Sequence, residues 1–524
     1  MDTKALRQKI LDLAIRGKLV PQDPNDEPAS VLLGRIRQQK QQMVKEGKLK
    51  PKDIKNDSVI FVGEDNLHYE KFADDSVKCI EDEIPFELPD GWAWERLSNL
   101  ASFSGGKTPS TSRSEYWDGD ILWVTSKDMK SKYITSSQLR LSTLGAEQMQ
   151  MYQPDTLLLV TRSGILRHTL PVAILKECAT INQDLKAIIL YMPQLAEYIY
   201  VCLKGMETQL LLKYTKSGTT VENVNFDEFQ KVLLPIPPIQ QIDRIMSSTG
   251  SAESVVSTIE DDKAALADYV IKAKSKILDL AIRGQLVPQD PDDEPASVLL
   301  ERIRAEKEEL IKQGKIKRDK KESVIFRGED NSYYEKIGDK VENISDEIPF
   351  ELPDGWMWCR GRSCFLGMES TKPQGEFFDY IDIDAIDNRL HRIKTAKHLP
   401  VPEAPSRASR AVKTGSVLFS LVRPYLENIA LVEEVHSHCI ASTGFYVCSS
   451  NGILLPQFMF FLMISSYVVS GLNQYMKGDN SPSISKDNIE SWLYPVPPMA
   501  EQKAICTKLK KVFNLIEKVE KSLS

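Results

Sequence analysis

The chain has 524 residues, which is too many for one ordinary core and predicts two to four domains. Its hydrophobic content of 42% and charged content of 27% are typical of a globular protein, no run approaches the 18 apolar residues of a membrane span, and the N-terminus does not have the pattern of a signal peptide. The eight cysteines form no CxxC pair, which predicts reduced thiols in the cytoplasm, and the net charge of −7 argues weakly against nucleic-acid binding until the charge is counted by segment.

The first predicted element is a helix with apolar residues at Leu6, Ile10 and Leu13. Gly17 is placed to end this helix, and the turn VPQDP leads into a second helix that opens over DEPASVLL. The stretch from residue 10 to 33 returns at residues 277–300 with only two differences, Lys18 against Gln285 and Asn25 against Asp292. The chain therefore contains an internal repeat.

The repeat extends further along the chain. SVIFVGEDNLHYEKF (58–72) returns as SVIFRGEDNSYYEKI (323–337), and DEIPFELPDGWAW (82–94) returns as DEIPFELPDGWMW (346–358). LPIPPIQQIDRI (234–245) has a weaker echo in YPVPPMAEQKAI (494–505). A period of about 265 residues is too long for a solenoid repeat, so we interpret the chain as a tandem duplication with two divergent inserts. The predicted segments are an N-terminal helical frame 1–94, a first variable block 95–234, a central helical frame 235–358, a second variable block 359–494 and a C-terminal coiled-coil helix 495–524.

The frame predicts long helices that pack on one another. After the prolines at 495, 497 and 498, apolar residues recur at steps of three and four, at Ile505, Leu509, Val512, Ile516, Val519 and Leu523, and the middle of the chain has a similar series from Leu266 to Leu280. We expect SSTGSAES around Gly250 to interrupt the middle helix. Pro237 to Gly284 spans 48 residues, while the C-terminal 28 and the N-terminal 17 residues together supply 45. This match predicts a circularly organised chain with adjacent termini.

The variable blocks carry the local positive charge. Block one has 15 Lys or Arg and 14 acids, and block two has 13 of each, so the acidity of the chain belongs to the frame. Residues 389–413 hold seven basic residues against the single acid Glu403, a patch that suits phosphates but also fits a basic surface loop without a ligand. Short β-branched and aromatic runs, joined by Gly, Ser, Asn and Pro loops, predict a small α/β domain in each block.

No catalytic or metal-binding pattern is convincing. The segment GGKT (105–108) resembles the end of a phosphate-binding loop, but the required earlier glycine is Ala101 and Pro109 follows directly. Cys359 and Cys364, with His436, His438 and Cys439, match no zinc spacing. We therefore expect neither catalysis nor a metal site in this chain.

The chain resembles the specificity (S) subunits of type I restriction–modification enzymes. The resemblance is carried by the two LPxGWxW motifs (88–94 and 352–358), the two Pro-Pro-led helices and the order of frame and variable blocks. GGKTPSTSRSEYWDGDILWVTSKDM in block one and EAPSRASRAVKTGSVLFSLVRPYLENIA in block two are similar to the recurrent target-recognition domains of that family.

The resemblance implies an α+β fold with two pseudo-twofold-related α/β target-recognition domains, separated by long antiparallel coiled-coil helices and circularly organised with adjacent termini. It implies that each domain reads one half of a bipartite site in double-stranded DNA, while the frame fixes the spacing and binds two methyltransferase (M) subunits. The cofactor S-adenosylmethionine then belongs to M, and ATP and Mg to two restriction (R) subunits, so the S chain has no cofactor, no catalytic activity and no membrane association of its own.

We expect the DNA contacts to come from polar and basic loop residues. In block one these are Thr125, Ser126, Lys127, Lys130, Lys132, Arg162, Ser163, Lys216, Ser217, Thr219 and Thr220. In block two they are Arg389, His391, Arg392, Arg407, Arg410, Arg423, Tyr425, Asn428, Lys477, Asn480 and Ser481. The alternative is a coiled-coil scaffold with two adaptor domains that bind no DNA, and an enzyme is the third interpretation.

Overall fold

The computed structural model describes residues 2–51, 54–55, 57–216, 221–316, 318 and 321–523. The chain divides into two compact units, Met1–Asp262 (unit 1) and Lys263–Ser524 (unit 2). Each unit contains both helices and sheets, so the predicted mixture of helix and sheet is confirmed. Within the described residues, no helix combines the length and the apolar character needed to cross a membrane.

Unit 1 begins with two helices of the frame and ends within a long one. Its helices are α1 Thr3–Ile15, α2 Ala29–Lys45, α3 Leu97–Leu100, α4 Thr143–Ala146, α5 Ala196–Gly205, α6 Glu207–Tyr214, α7 Phe226–Phe229 and the first part of α8 Ile239–Ile282. Its strands are β1 Ser58–Val62, β2 His68–Phe72, β3 Val77–Cys79, β4 Ala93–Arg96, β5 Ala101–Gly105, β6 Trp117–Val124, β7 Tyr133–Ile134, β8 Leu139–Leu141, β9 Leu157–Val160, β10 Arg162–Ser163, β11 Val172–Leu175, β12 Ala179–Ile181, β13 Leu185–Leu190, β14 Thr215–Lys216, β15 Glu222–Val224 and β16 Leu233–Ile236.

Unit 2 has the same frame elements, but the helices and strands of its variable block follow a different order. Its helices are the last part of α8, α9 Ala296–Lys312, α10 Gly361–Cys364, α11 Pro456–Met463, α12 Ser466–Asn473, α13 Lys486–Ser491 and α14 Met499–Leu523. Its strands are β17 Ser323–Arg327, β18 Tyr333–Ile337, β19 Lys340–Asn343, β20 Met357–Arg360, β21 Phe377–Ile381, β22 Ile386–Asp387, β23 Arg392–Ile393, β24 Lys397–Pro400, β25 Ala408–Ala411, β26 Val417–Ser420, β27 Ile429–Leu431, β28 Ile440–Ser442, β29 Phe445–Cys448 and β30 Leu493–Val496.

The central strand of each variable block is buried on both faces. In unit 1 the largest sheet has the order β5-β13-β9-β11-β7. Leu157 and Leu159 of β9 pack into the core cluster that contains α1, α2 and α5, while Leu158 and Val160 pack into a second cluster with β6 and β12. In unit 2, β27-β26-β29 takes the same role. This double burial explains the continuous apolar runs LLLV and VLF in the sequence.

The two ends of each variable block are paired as antiparallel strands. In unit 1, β4 pairs with β16, and in unit 2, β20 pairs with β30. A buried arginine beside each pair holds the block to the frame: Arg96 donates to Glu70 at 2.7 Å and to Glu83 at 2.8 Å, and its counterpart is Arg360. Each block therefore leaves the frame and returns to it at one place.

In each unit the frame helices run antiparallel to each other. In unit 1, Arg7 of α1 bonds Glu260 of α8, and Asp26 further along the chain pairs with Arg244, which is earlier in α8. In unit 2, Lys274 of α8 bonds Glu520 of α14 at 2.8 Å, whereas Gln289 bonds Glu501. These contacts are local to each unit.

Gly17 ends the first helix as the sequence predicts. Its φ is +66°, and a Cβ on this residue would lie 2.5 Å from Cγ of Pro89. Gly284 repeats the conformation in unit 2 with φ +69°. Both the left-handed backbone and the close approach of a proline require glycine at this position.

The expected interruption of the middle helix is wrong, because α8 continues through Gly250. Gly250 has open space where a side chain would stand, and Thr249 bonds back to the carbonyl oxygen of Ile245 at 2.8 Å. The burial of Ile245 and Val256 on either side offsets the cost of about 1 kcal/mol that glycine imposes on a helix.

The predicted apolar seam is buried only over part of its length. Ile505 and Leu509 are fully buried and Val270 nearly so, whereas Leu266 and Val519 are about two-fifths exposed. The side chain of Leu523 lies outside the described part of the chain. Periodicity locates the helix face, but the length of the packing partner decides how much of that face is covered.

Candidate nucleic-acid interface

Three polar residues of unit 1 lie side by side on one small sheet, in the order β10-β15-β14. Arg162 of β10 and Lys216 of β14 both pair directly with Asn223 of β15. Directly opposed residues of antiparallel strands point to the same face, with Cβ atoms about 4.5–5.5 Å apart. All three residues are exposed. The sheet therefore presents a guanidinium, an amide and an ammonium group together.

Arg162, Ser163 and Lys216 are among the DNA contacts expected from the sequence, whereas Asn223 is not. The alternation in the run VENVN predicts a strand. It does not show which residues lie opposite Asn223, so it does not place Asn223 beside Arg162 and Lys216. Ser163 is half-buried and accepts a 3.4 Å bond from the backbone of Ile165. The proposed contacts Ser217, Thr219 and Thr220 lie outside the described residues.

The loop after β6 brings two lysines to the same end of the domain. Thr125 donates both its backbone N–H and its hydroxyl to Asp128 at 2.8 Å, which closes the loop around Ser126 and leaves Lys127 and Lys130 exposed. The turn at residues 182–184 connects this loop to β10, because it bonds the backbone of Val124 on one side and of Thr161 on the other, at 3.0 and 2.8 Å. The lysine loop and Arg162 thus belong to one surface.

Lys132 has a different environment from the other two lysines. Its ammonium bonds Glu197 of α5 at 2.8 Å and lies over the rings of Tyr133 and Tyr200. Its side chain is 24% exposed. Lys132 therefore joins the sheet to α5 instead of standing free in the loop.

Unit 2 contains a similar strand pairing with different side chains. Lys477 pairs with Ser483 across a hairpin whose tip is residues 478–482, and Ser483 pairs in turn with Val422. Arg423, next to Val422, donates its guanidinium to the carbonyl oxygen of Asn480 at 2.9 Å. Lys477, Arg423, Asn480 and Ser481 are exposed. The predicted correspondence between the two block skeletons is confirmed at this hairpin.

Left-handed backbone surrounds the Arg423 turn. Arg423 and Glu427 have φ of +47° and +55°, and they bracket the short turn Pro424–Leu426, where Tyr425 is 46% exposed. Non-glycine residues in this region cost about 1–3 kcal/mol each and concentrate at functional sites. The chain therefore holds Arg423 and Tyr425 at the surface against a conformational cost.

The β22–β23 hairpin adds further arginines to this surface. Asn388 donates its side-chain amide to the carbonyl oxygen of Leu426 at 2.8 Å, which ties the hairpin to the Arg423 turn. Asp387 accepts the backbone N–H of Arg389 at 3.1 Å and shapes the hairpin tip. Arg389 and Arg392 are both exposed. The structure thus brings Arg389 into the same region as Arg423 and Asn480, which are far from it in the sequence.

Two predicted contacts in this region do not present their side chains to solvent. The side chain of His391 is only 18% exposed beside Glu427, its φ is +49°, and burial lowers its pKa below the ordinary histidine value. Asn428 is 9% exposed. Both side chains are largely buried next to the Arg423 turn, so they suit a supporting role and not a direct contact with DNA.

Arg407 and Arg410 lie on or beside β25. Arg407 is exposed, and its carbonyl oxygen accepts the backbone N–H of Thr443 at 2.8 Å. The carbonyl oxygen of the next residue, Gly444, accepts the backbone N–H of Leu421, which lies two residues before Arg423. Arg410 is half-buried and forms a bridge with Ser370. Arg407 is therefore linked to the Arg423 surface, while Arg410 belongs to the edge of its sheet.

The segment GGKT has a structural role. A Cβ on Gly106 would collide with the carbonyl oxygens of Ile181 and Asn182, and no helix follows in residues 106–113. The carbonyl oxygen of Lys107 accepts the indole N–H of Trp123 at 3.2 Å. The glycine permits close backbone packing, and the helix N-terminus that would cradle a phosphate is not formed in this segment.

The histidine and cysteine residues of block two are separated by the fold. Cys359 and Cys364 are buried in the core, whereas His438 and Cys439 line an open cavity of about 460 Å³ with Asp379 and His398. Asp379 accepts from His398 at 2.9 Å and from His438 at 2.7 Å. Across the described residues, no three His, Cys, Asp or Glu side chains form a group that could hold a metal ion.

Comparison with known proteins agrees with the sequence resemblance. A family model for the type I restriction modification DNA specificity domain matches residues 89–252. The EcoAI and EcoEI specificity subunits of Escherichia coli are 26% and 25% identical, each over 99% of this chain and 90% of its relative. The solved HsdS subunit from Thermoanaerobacter tengcongensis is 34% identical over 33% of this chain and 46% of its own length, with a TM-score of 0.32. The chain is thus similar to type I restriction–modification specificity subunits over almost its whole length.

Proposed function

We propose that each variable block reads one half of a bipartite site in double-stranded DNA. The chain acts as the sequence-recognition component of a type I system and is not its catalyst, which the family match and the full-length relatives support. The observation that carries the proposal is a strand pairing that occurs in both units: Asn223 lies between Lys216 and Arg162 in unit 1, and Ser483 lies between Lys477 and Val422, the neighbour of Arg423, in unit 2. The same backbone with unlike side chains suits two unlike half-sites.

The side chains divide by chemistry into base-reading and phosphate-binding groups. Arg162 and Arg423 suit bidentate bonds to guanine, and Asn223 suits adenine, each worth about 1–3 kcal/mol of discrimination. Lys127, Lys130 and Arg389 lie in exposed loops and Arg392 begins β23, and all four suit phosphate contacts that fix orientation. Lys132, His391 and Asn428 act in our proposal as supports for these loops.

The frame, in this proposal, sets the distance between the half-sites. The antiparallel helix pair within each unit supports an architecture of two pseudo-twofold-related domains separated by coiled-coil helices, with circular organisation and adjacent termini. A fixed separation of two reading domains imposes a fixed half-site spacing, as it does in DNA-binding dimers.

The partners and cofactors follow from this role. Two methyltransferase subunits bind the frame and supply S-adenosylmethionine for adenine methylation, and two restriction subunits supply ATP- and Mg-dependent cleavage. A chromosomal DNA substrate places the complex in the cytoplasm. The scaffold alternative is not favoured by the family and full-length matches.

A gel-shift experiment with the chain and its methyltransferase partner tests the proposal. Retardation of one duplex sequence over shuffled duplexes of equal length supports it. Equal affinity for all duplexes, or no binding to any duplex, would overturn it.

A further inference from the structure

Each unit carries a three-stranded sheet with an exposed apolar face. In unit 1, the register of β1-β2-β3 forms one row across the sheet from Val59, Lys71 and Val77, and another from Phe61, Tyr69 and Cys79. In unit 2, β17-β18-β19 forms the corresponding rows from Val324, Lys336 and Val341, and from Phe326, Tyr334 and Asn343. We call each of these sets the outer sheet face. Five of its six positions are identical in the two units.

The outer sheet faces are open to solvent. In unit 1, Phe61 is 42% and Val77 is 52% exposed, and in unit 2, Phe326 is 37% and Val341 is 49% exposed. Phe61 stacks on Tyr69 with ring centroids 5.8 Å apart, and Phe326 stacks on Tyr334 at 5.9 Å. The same aromatic pair therefore stands at the surface twice.

The fold does not depend on these outward residues. The inward residue Ile325 packs with Trp358, and the inward Glu70 and Glu335 bind the buried arginines Arg96 and Arg360. Exposed apolar side chains on a small sheet with open edges favour unwanted association unless a partner covers them. The outer sheet faces thus expose apolar side chains to water, with a risk of unwanted association, and the packing within the chain does not require this.

Other exposed positions of the repeated frame have changed between the copies. On α2 the exposed residues Gln38, Gln41 and Gln42 correspond to Ala305, Glu308 and Glu309 on α9. The repeat therefore tolerates change on one exposed surface and keeps the same residues on another. Two equal surfaces in one chain suit two copies of one partner.

Charge indicates what kind of partner fits. Apart from the inward Glu70 and Glu335, residues 58–83 contain seven acids and two bases, and residues 323–347 contain six acids and three bases. An acidic surround repels DNA phosphates, so these faces are unsuited to the DNA contacts of the variable blocks. The complementary surface is a protein with apolar side chains at its centre and Lys or Arg at its rim.

We propose that each outer sheet face docks one methyltransferase subunit through an apolar, basic-rimmed surface of that subunit. The identity of the partner rests on the proposed function, in which two methyltransferase subunits bind the frame. Val59, Phe61, Tyr69 and Val77 form the first dock, and Val324, Phe326, Tyr334 and Val341 form the second.

Native mass spectrometry of the complex with its methyltransferase subunit tests this proposal. We expect two subunits bound to the unaltered chain, one to Phe61→Glu or Phe326→Glu, and none to the double variant, with affinity at each altered dock reduced about tenfold or more. Val77→Lys and Val341→Lys are second variants at the most exposed positions. Gln41→Glu, which copies Glu308, is the matched surface control and leaves both subunits bound.

Several results would overturn the proposal. One is a double variant that folds, as judged by an unchanged melting temperature, and binds two methyltransferase subunits as tightly as the unaltered chain. Another is a complex in which the double variant loses self-association of the S chain instead of the methyltransferase. Measurement of DNA binding distinguishes failure of the dock from failure of the proposed function. A double variant that keeps both methyltransferase subunits and still binds its specific site would overturn only the dock. An unaltered complex that shows no sequence preference would overturn the proposed function.

Discussion

The indole Nε1 of Trp356 donates a 2.7 Å hydrogen bond to the carboxyl group of Glu501. In unit 1 the equivalent Trp92 donates to the neutral amide oxygen of Gln241 at 2.9 Å. Glu501 is only 3% exposed, and burial raises its pKa above the ordinary glutamate value even though Gln289 and Trp356 bond to it. The two units therefore use an ionisable and a non-ionisable group at the same place.

This difference predicts a pH dependence that one substitution removes. Because folded Glu501 holds its proton more tightly than the unfolded chain does, its contribution to stability is complete below the ordinary pKa and is lost as pH rises through the raised value. Glu501→Gln should flatten the pH dependence of the unfolding free energy above pH 4.5, and Gln241→Glu should add to it. Denaturant unfolding at a series of pH values measures both effects, and equal slopes in all three proteins would contradict the account.

The buried arginine of each unit should be important for stability. Arg96→Ala leaves the carboxylate of Glu70 buried without its partner, so we expect a loss of about 3–5 kcal/mol in unfolding free energy. Lys71→Ala removes an exposed pair with Asp75 and should cost about 1 kcal/mol or less. Chemical denaturation compares the two variants, and similar losses would refute the distinction.

The same network predicts acid sensitivity. Although burial raises the pKa of Glu83, Arg96 and Lys78 lower it to about 2. A depressed carboxyl pKa contributes stability above the unfolded value, and this contribution disappears as pH falls towards 2. Glu83→Gln should therefore unfold with a weaker pH dependence between pH 4.5 and 2, as followed by circular dichroism.

Variants of Asn223 and Lys216 should distinguish a contact with a base from a contact with a phosphate. Asn223→Ala should reduce discrimination at one base pair of one half-site by about 1–3 kcal/mol while leaving the other half-site unchanged. Lys216→Ala, on the same face, should weaken all sequences nearly equally. Competition binding with single base-pair changes measures both variants, and uniform weakening by Asn223→Ala would remove its reading role.

The lysines of the β6 loop should act through phosphates. Lys127→Ala and Lys130→Ala should each reduce the slope of log affinity against log salt by about 1 without changing sequence preference. Lys132→Ala, which loses an ion pair with Glu197, is the contrasting variant and should change stability more than the salt slope. A change of sequence preference in either loop variant would contradict this assignment.

The left-handed backbone of Arg423 should lower the stability of the fold, while its side chain contributes to DNA affinity. Arg423→Ala and Arg423→Gly both remove the guanidinium, so we expect the same loss of cognate affinity from each. Because φ is +47°, the glycine variant should be more stable than the alanine variant by about 1–2 kcal/mol. Paired affinity and melting measurements test this, and full cognate affinity in both variants would exclude Arg423 from the site.

The repeat, the mixed fold and the resemblance to type I specificity subunits could be predicted from the sequence, because each is visible in the order and pattern of its residues. It predicted the helix end at Gly17, where a left-handed glycine has a clear motif. It failed at Gly250, where the packing of neighbouring residues outweighs a weak local preference for a break.

The site shows the same limit. Arg162 and Lys216 were predicted as polar loop residues, but Asn223 between them depends on strand register. His391 and Asn428 resemble their exposed neighbours in sequence, and only the three-dimensional turn at Arg423 places them underneath it. Burial within a short polar segment is a tertiary property, which residue type alone does not reveal.

Mapping of methylated adenines is the most direct test of the central claim. The chain is expressed with its methyltransferase in a host that lacks other adenine methylation, and all modified sites are sequenced. The account predicts one motif with two defined half-sites separated by a fixed number of unspecified base pairs, and it predicts that Asn223→Ala relaxes only one half. A continuous motif, or methylation without any sequence preference, would contradict it.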